Sequence, residues 1–203
     1  MGRPLGPPRV SLNIAISAHA QGVSAVMIED QVSPKRCGHT KGKAVVGRAE
    51  AFSRVQAACD ARDEGGSDIL ILARTDANTT DGIDEAIERC QKFREIGADI
   101  TFLEAPTSLD EMAAYCERVD GPKLANMLEG GATPVLPPAQ LQDLGYTIAA
   151  YPLTLLSASI KAMKASLALL AEGRPTEELL MPWPELRAEV GFDEYYEMEE
   201  RYK

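Results

Sequence analysis

Short apolar runs alternate with amphipathic segments along most of this chain, and this alternation limits the possible fold more than any other feature. The clearest apolar run, Asp-Ile-Leu-Ile-Leu-Ala-Arg at 68–74, predicts a strand buried on both faces. Similar runs predict strands at 23–29, 99–103, 123–127 and 146–150. Five strands that alternate with helical patterns predict an α/β fold with a parallel sheet and crossover helices.

The segments between the strands have the apolar spacing of helices. Helices are predicted at 11–21, 48–63, 82–96, 109–118, 138–144 and 153–172. The tail, 176–203, predicts short helices broken at Pro182-Trp183-Pro184, and residues 1–9 are rich in Gly and Pro and predict irregular structure. We therefore expect an irregular segment at 1–9 and a single domain at 10–203, with a helical tail at 153–203.

Chemically active residues follow the predicted strands, at the point where each strand ends. They are Glu29 and Asp30, Arg74 and Asp76, Glu104, Asn126 and Glu129, and Tyr151. In a β/α barrel the active site lies at this end of the strands. A complete barrel has eight strands in about 250 residues, whereas this chain has five predicted strands in 203 residues. The pattern fits either a smaller open sheet or a barrel whose first strands are not in this chain.

A cysteine lies between cations in the loop after the first predicted strand. The loop reads Lys35-Arg36-Cys37-Gly38-His39. Neighbouring positive charge favours the thiolate, so we expect Cys37 to have a lowered pKa and to be chemically competent. The alternative is a solvated basic loop in which the cysteine is incidental.

Composition excludes several classes of partner. A net charge of −10 and a pI near 4.8 argue against nucleic acid or an anionic membrane surface as partner. No uninterrupted apolar run approaches the ~20 residues that span a bilayer. The four cysteines form no C-x-x-C pair and predict reduced, intracellular thiols. We expect a cytoplasmic protein; an organelle remains open because residues 1–28 contain no acidic residue.

Taken in order, the strand-end motifs resemble those of the isocitrate lyase/phosphoenolpyruvate mutase superfamily, over roughly residues 10–203. The motifs are Ile28-Glu29-Asp30-Gln31, Lys35-Arg36-Cys37-Gly38-His39, Ala73-Arg74-Thr75-Asp76-Ala77, Phe102-Leu103-Glu104-Ala105, Leu124-Ala125-Asn126-Met127, Glu129-Gly130-Gly131 and Thr133-Pro134. Cys37 favours the lyase branch over the mutase branch. Within it, the chain is similar to the small enzymes: dimethylmalate lyase, oxaloacetate hydrolase, methylisocitrate lyase and the petal-death type.

The resemblance implies a (β/α)8 barrel of the TIM type whose last helix swaps between paired subunits of a tetramer. Residues 23–152 would then supply the last five strands, and the tail from about 153 would supply the swapped segment. The family's main magnesium motif, an Asp-x-Asp pair on the third strand, has no match in this chain. A partial barrel without the principal metal ligands is therefore expected.

The resemblance also implies site residues for a Mg²⁺-dependent retro-aldol cleavage, with Mn²⁺ as a possible substitute. Glu29 matches a metal-shell carboxylate that acts through water. Arg74 matches the residue that grips a substrate carboxylate, and a salt bridge to Glu104 is its alternative role. Cys37 matches the general acid, and His39 matches the residue that orients it. The remaining matches to substrate-binding positions are Gly38, Glu104, Asn126, Gly131 and Thr133.

Three functions are compatible with the sequence. The first is a lyase or hydrolase that acts on a small 2-hydroxy or 2-oxo di- or tricarboxylate. The second is a catalytically impaired, truncated paralogue with a structural role in an oligomer. The third is a phosphonate mutase or hydrolase on the same scaffold, against which Cys37 argues. The expected partners are a small carboxylate and further copies of the chain, with no nucleic acid and no membrane.

Overall fold

The computed structural model of the chain describes residues 17, 18, 21–35 and 42–202. The described residues fall into two compact units that divide between Pro152 and Leu153. The predicted irregular segment 1–9 and most of the predicted helix 11–21 lie outside the described residues, and so do Cys37, Gly38 and His39.

The first unit contains the five predicted strands, each followed or preceded by a helix. The strands are β1 (Ala25–Glu29), β2 (Leu70–Thr75), β3 (Ile100–Leu103), β4 (Leu124–Asn126) and β5 (Ile148–Ala150). The helices between them are α1 (Arg48–Glu64), α2 (Asn78–Asp81), α3 (Ile83–Ile96), α4 (Leu109–Arg118) and α5 (Pro138–Leu144). The predicted alternation of strand and helix is confirmed.

All strand pairing in this unit between named strands is parallel. β1, β2 and β3 form one sheet in that order, and β4 pairs with β5. A parallel bridge between Thr101 and Lys123 connects β3 to the start of β4. Because sequential strands are neighbours and point the same way, their carboxyl ends come to one edge, as the sequence predicts.

The apolar core follows from the alternation of side chains along the strands. Val26 and Ile28 of β1, with Ile69, Ile71 and Ala73, pack with apolar residues of α1. The intervening residues of β2 and β3, Leu72, Ile100 and Phe102, form a separate cluster with Leu124. Strands buried on both faces explain why the sequence of β2 is a continuous apolar run.

Local signals in the sequence set several helix ends. Ser108 caps α4, as its hydroxyl accepts a hydrogen bond from the amide of Glu111 at 3.1 Å. The predicted helix at 82–96 is confirmed as α3. The short helix α2, which the sequence does not predict, precedes it, and Gly82 separates the two. At this glycine φ is 95°, a conformation that L side chains rarely adopt, so the helical path is interrupted there.

The second unit consists of helices only. They are α6 (Thr154–Ala171), a 3₁₀ turn at Glu177–Leu179, α7 (Trp183–Glu189) and α8 (Phe192–Glu200). The short helices predicted for the tail are confirmed, with Trp183 and Pro184 in the first turn of α7. Trp183 packs on Phe192 with ring centroids 6.3 Å apart. Among the described residues, one helix, α6, is long enough and apolar enough to cross a bilayer. Core helices of soluble proteins pass the same test of length and composition.

Candidate active site

The parallel register brings the predicted site residues of three strands together. Glu29 pairs with Arg74, and Arg74 pairs with Phe102 on β3, so Glu104, the first residue after that strand, lies close to Arg74. Asn126 ends β4 beside them. Four residues that sequence motifs alone single out thus meet at one edge, although they are separated by up to 97 positions in the chain (126 − 29).

Arg74 is the centre of this cluster. Its Nε donates to Asp76 Oδ2 at 2.8 Å and lies 3.5 Å from Glu29 Oε2, and its Nη2 lies 3.4 Å from Glu104 Oε2. The guanidinium carbon also lies 4.9 Å from the centre of the Phe102 ring. Burial alone would lower the pKa of Arg74, but the three carboxylates outweigh it and raise the pKa. The predicted pairing with Glu104 is confirmed.

Asp76 holds two cations although it is fully buried. Besides both contacts from Arg74, its Oδ1 lies 3.3 Å from Lys43 Nζ, whose side chain is only 4% exposed. Burial would raise the pKa of Asp76, but hydrogen bonds and positive charge from Arg74 and Lys43 lower it below its usual value. Asp76 is therefore a carboxylate that sets the direction of the Arg74 guanidinium.

Glu104 is the second buried carboxylate of the cluster. Only 1% of the residue is exposed, and Asn126 Nδ2 lies 3.3 Å from its Oε1 and 3.4 Å from its Oε2. Arg74 and Asn126 thus contact the same carboxylate from neighbouring strands. A cation and an amide donor arranged around fixed acceptors form a polar site that suits a ligand with carboxylate groups.

The chain leaves β3 through an unusual conformation directly after Glu104. Ala105 has a φ of 57°, in the left-handed region, and is fully buried. Asn78 of α2 donates to the Ala105 carbonyl at 2.9 Å. A left-handed alanine costs on the order of 1 kcal/mol and persists where its surroundings hold it, which is common at functional sites.

Asp30 lies behind the cluster and is almost completely buried. Its Oδ2 accepts from Thr75 Oγ1 at 2.6 Å and from Arg89 Nη1 at 2.9 Å, and its Oδ1 accepts from the Asp76 amide at 2.9 Å. Burial raises the pKa of Asp30, and these hydrogen bonds and the charge of Arg89 oppose that rise.

The 31–46 segment, which contains the predicted cysteine loop, is closed at its two ends by main-chain hydrogen bonds. The Val32 amide donates to the Ala44 carbonyl at 2.9 Å, and the Val46 amide donates to the Asp30 carbonyl at 2.8 Å. Lys35 Nζ lies 2.7 Å from Glu29 Oε2 on one side of the segment, and Lys43 reaches Asp76 on the other. The predicted roles of Cys37, Gly38 and His39 fall outside the described residues and stay predictions.

Gly131 and Thr133, predicted to bind substrate, lie in the loop between β4 and α5. The Gly131 amide donates to the Leu128 carbonyl at 3.0 Å, so this amide closes a turn. The Thr133 hydroxyl is buried and has no hydrogen-bond partner within the described part of the chain. A buried hydroxyl that lacks such a partner is suited to form a hydrogen bond with a ligand oxygen.

The described residues do not by themselves form a metal centre. Within 17–18, 21–35 and 42–202, no three His, Cys, Asp or Glu side chains are grouped so that they could hold an ion. Glu29, the predicted metal-shell residue, is contacted by Lys35 and Arg74 instead. A Mg²⁺ site that used Glu29 would need further oxygen ligands from outside these residues.

The cysteines of the described helices are unsuited to chemistry. Burial raises the pKa of Cys59 and of Cys116 to about 11, and it raises the pKa of Cys90 further. Cys59 and Cys90 are buried in the core, and Cys116 is partly buried. Sequence motifs did not assign roles to Lys43 and Arg89, because a single basic residue in a loop or on a helix has no distinguishing pattern.

Comparison with known proteins agrees with the strand-end motifs. Residues 7–171 match the family described as phosphoenolpyruvate phosphomutase. The chain is 47% identical over 142 residues to 2,3-dimethylmalate lyase of Eubacterium barkeri, which covers 70% of this chain and 48% of that protein. It is 38% identical over 205 residues to the petal death protein of Dianthus caryophyllus, which covers 100% of this chain and 63% of that protein.

Solved structures give the same result for the fold. A crystal structure of 2,3-dimethylmalate lyase superposes with a TM-score of 0.86 at 35% identity, over 97% of this chain and 66% of that one. Oxaloacetate acetylhydrolase bound to 3,3-difluorooxalacetate superposes with a TM-score of 0.86 at 29% identity, over 97% and 67%. The chain spans about half to two thirds of the length of these curated relatives.

The chain is an α/β protein with partial parallel sheets, and its fold matches the TIM-barrel-like structures of these relatives. With the family match and these relatives, the chain belongs to the phosphoenolpyruvate mutase/isocitrate lyase superfamily. The relatives named above include a lyase, and the similar structures include a lyase and a hydrolase.

Proposed function

We propose that this site cleaves the carbon–carbon bond of a small 2-hydroxy di- or tricarboxylate and releases a 2-oxo acid, in a reaction that requires Mg²⁺. The observation that carries the proposal is the buried Arg74 at the strand ends, held among Glu29, Asp76 and Glu104. A guanidinium fixed in this way presents a rigid fork of donors, which is suited to a carboxylate.

The charge of the cluster supports a diacid that binds together with a divalent cation. At the strand ends, three cations, Lys35, Lys43 and Arg74, contact three carboxylates, Glu29, Asp76 and Glu104. The cluster is therefore balanced before a ligand enters. A doubly charged acid alone would leave excess negative charge in a buried site, whereas an acid that enters with a divalent cation keeps the balance.

The proposed reaction is a retro-aldol cleavage. For 2,3-dimethylmalate, the 2-hydroxyl gives its proton to a base that exchanges with solvent and becomes the ketone of pyruvate as the C2–C3 bond breaks. The electron pair of that bond moves to C3, beside its carboxylate, and a proton then converts this carbanion to propanoate. No oxidant or reductant is needed, because the two fragments together contain the atoms of the substrate.

The residues of this chain take distinct tasks in that reaction. Arg74 binds a substrate carboxylate and stabilises negative charge that develops on oxygen. Glu104 and Asn126 fix the position of Arg74 and offer polar contacts beside it. Cys37 gives the proton to the carbanion as general acid, and His39 orients the thiol.

Mg²⁺, or Mn²⁺ in its place, would supply Lewis-acid polarisation of substrate oxygen when bound. Among the described residues, Glu29 would bind the ion through a water molecule. The remaining ligands would come from outside the described residues.

The name of the lyase relative favours a substrate that yields pyruvate. 2,3-Dimethylmalate and 2-methylisocitrate both give pyruvate on cleavage and differ in the other fragment. Hydrolysis of oxaloacetate to oxalate and acetate is the second candidate, favoured by the similarity to oxaloacetate acetylhydrolase at 29% identity. Phosphonate chemistry is a third, since the matching family is described as a phosphomutase.

The test is a comparison of substrates with the full chain and MgCl2. Pyruvate release from 2,3-dimethylmalate or 2-methylisocitrate, abolished by EDTA and by Cys37→Ser, is expected. Release of oxalate from oxaloacetate would instead support the hydrolase. Turnover of phosphonopyruvate that survives Cys37→Ser would contradict the lyase assignment, and a folded chain without activity on any of these acids would support the structural role.

We also propose that the helical tail mediates self-association, as the resemblance implies. The second unit exposes large apolar side chains: Leu155 at 81%, Leu167 at 64% and Trp183 at 64%. Exposed apolar groups of this size are typical of surfaces that another protein covers. Light scattering after size exclusion should give a dimer or tetramer for the intact chain, and a monomer would contradict the proposal.

A further inference from the structure

We propose that Asp30 and Arg89 are positioning residues that hold Arg74 in place from behind the site. The Asp30 amide donates to the Arg74 carbonyl at 3.3 Å, which is a main-chain contact. The side chains of Asp30 and Arg89 bond to Thr75, Asp76, Val46 and Glu85 instead of to the Arg74 guanidinium. They act through the Thr75–Asp76 segment and through the base of the 31–46 segment. This inference rests on the proposed carboxylate-binding role of Arg74.

The first link is from Asp30 to the end of β2. One carboxylate oxygen accepts from the Thr75 hydroxyl at 2.6 Å, and the other accepts from the Asp76 amide at 2.9 Å. The Thr75 hydroxyl in turn accepts from the Ala77 amide at 3.1 Å. Asp30 therefore fixes the main chain on which the Asp76 carboxylate is mounted, and that carboxylate holds Arg74 by two hydrogen bonds at 2.8 and 3.1 Å.

The second link is from Arg89 to the base of the loop segment. Its Nη1 donates to Asp30 Oδ2 at 2.9 Å and to the Val46 carbonyl at 3.0 Å, and its Nε donates to Glu85 at 2.7 Å. Val46 is also bonded to the Asp30 carbonyl. The Arg89 side chain thus links Val46, at the end of the 31–46 segment, to the Asp30 carboxylate, which follows β1 and is bonded to the end of β2. The 31–46 segment also contains Lys43.

The burial of Asp30 and Arg89 indicates a role other than stability, because burying charged groups costs free energy. Arg89 is 4% exposed and Asp30 is 1% exposed. A buried ion pair often contributes little net stability, because desolvation offsets the attraction, so apolar residues would serve the core equally well. What apolar residues cannot supply is a set of directed hydrogen bonds that orients Asp76 and the loop base.

The experiment measures oxalate binding by calorimetry, with MgCl2 present, for the full chain and its variants. Arg89→Met removes the fork but leaves Asp30 unpaired. Asp30→Asn combined with Arg89→Met removes both charges, so that no unpaired charge is buried. Arg62→Met is the matched control, because Arg62 pairs with Asp99 at 2.6 Å at the opposite end of the strands.

We expect the double variant to unfold near the midpoint of the wild type yet bind oxalate about tenfold more weakly or worse, since misplacement of a positioned group is costly. Arg62→Met should bind as the wild type does. Wild-type affinity in the double variant would overturn the positioning role while leaving the proposed function intact. No oxalate binding by the folded wild type would instead overturn the proposed function.

If the double variant does not fold, Arg89→Lys decides. Lysine keeps the charge, but a single ammonium does not reproduce the fork between Asp30, Val46 and Glu85. A folded Arg89→Lys protein with weaker oxalate binding supports the positioning role, and unchanged affinity contradicts it.

Discussion

The two ends of the β1–β3 sheet use the same kinds of side chain for different purposes. At the amino end, Arg62 of α1 pairs with Asp99, and Asp99 accepts from the Ile71 amide at 2.7 Å. The Asp99 side chain remains 33% exposed. At the carboxyl end, Arg74 is held by carboxylates of three strand ends, and the side chains of Asp76 and Glu104 are at most 1% exposed.

The difference shows how strand direction divides structure from chemistry in this molecule. Partners at the amino end include main-chain groups: Arg94, for example, donates to the Asp99 carbonyl at 2.7 Å. These contacts stabilise turns. At the carboxyl end side chains contact side chains in a buried cluster, where electrostatic interactions are stronger and a ligand can exchange with existing partners. Residue type alone does not separate the two ends.

The largest expected effect separates Arg74 from Arg62. Arg74→Met should reduce pyruvate release by about a hundredfold or more, because it removes a charged donor positioned for the reacting acid. Arg62→Met should change the rate less than about twofold, because it lies at the other end of the strands. Steady-state rates on the same substrate check both, and equal rates for the two variants would remove the functional distinction between the ends.

A large effect on stability is expected from the buried pair behind the site. Arg89→Met should lower the free energy of unfolding by about 3 kcal/mol or more, since it strands the buried Asp30 charge. Arg62→Met should cost about 1 kcal/mol or less, because its partner is partly exposed. Urea unfolding monitored by circular dichroism measures both. Similar losses would show that burial does not distinguish the ends.

Asp76 should make stability depend on acid pH with a defined sign. Its pKa is lowered in the folded state, so it contributes stability above its unfolded pKa that is lost as the pH falls through the folded pKa. Asp76→Asn should therefore be less stable than the wild type by about 2 kcal/mol at pH 7. The difference should shrink below about pH 4. Unfolding midpoints across that range test it, and a difference that grows with acid would contradict the assignment.

The smallest expected effect concerns backbone strain. Ala105→Gly should leave the free energy of unfolding within about 0.5 kcal/mol of the wild type, because relief of the left-handed conformation offsets the lost methyl burial. Ala98, which is equally buried but lies at the amino end without a positive φ, is the control. Ala98→Gly should cost about 1 kcal/mol. Equal losses at both positions would show that Ala105 is not strained.

The sequence predicts the elements of this fold well because their signals are local. Apolar runs place all five strands to within two residues at each end, and the Ser108 cap and the α4 limits agree with the structure. Strand-end motifs also bring Glu29, Arg74, Glu104 and Asn126 together. Parallel order follows from the alternation with helices, so residues on consecutive strand ends are neighbours.

What the sequence does not predict depends on contacts that are distant in the chain. Arg89 and Asp30 are 59 positions apart, and Arg89 lies among Ile87, Cys90 and Phe93 on a helix whose pattern is otherwise that of an ordinary amphipathic face. Lys43 reaches Asp76 across 33 positions. The left-handed Ala105 has no residue-type signal, because glycine is the residue that usually marks such a conformation.

The most direct test of the central proposal is proton NMR of 2,3-dimethylmalate incubated with the full chain and MgCl2 in D2O. If the Arg74 cluster supports retro-aldol cleavage, pyruvate and propanoate will appear in equal amounts, with one deuteron at C2 of the propanoate, because the carbanion takes its proton from an acid that exchanges with solvent. In the same time, Arg74→Met should give about a hundredth of both products or less. Product formation that is unchanged in Arg74→Met would contradict the account.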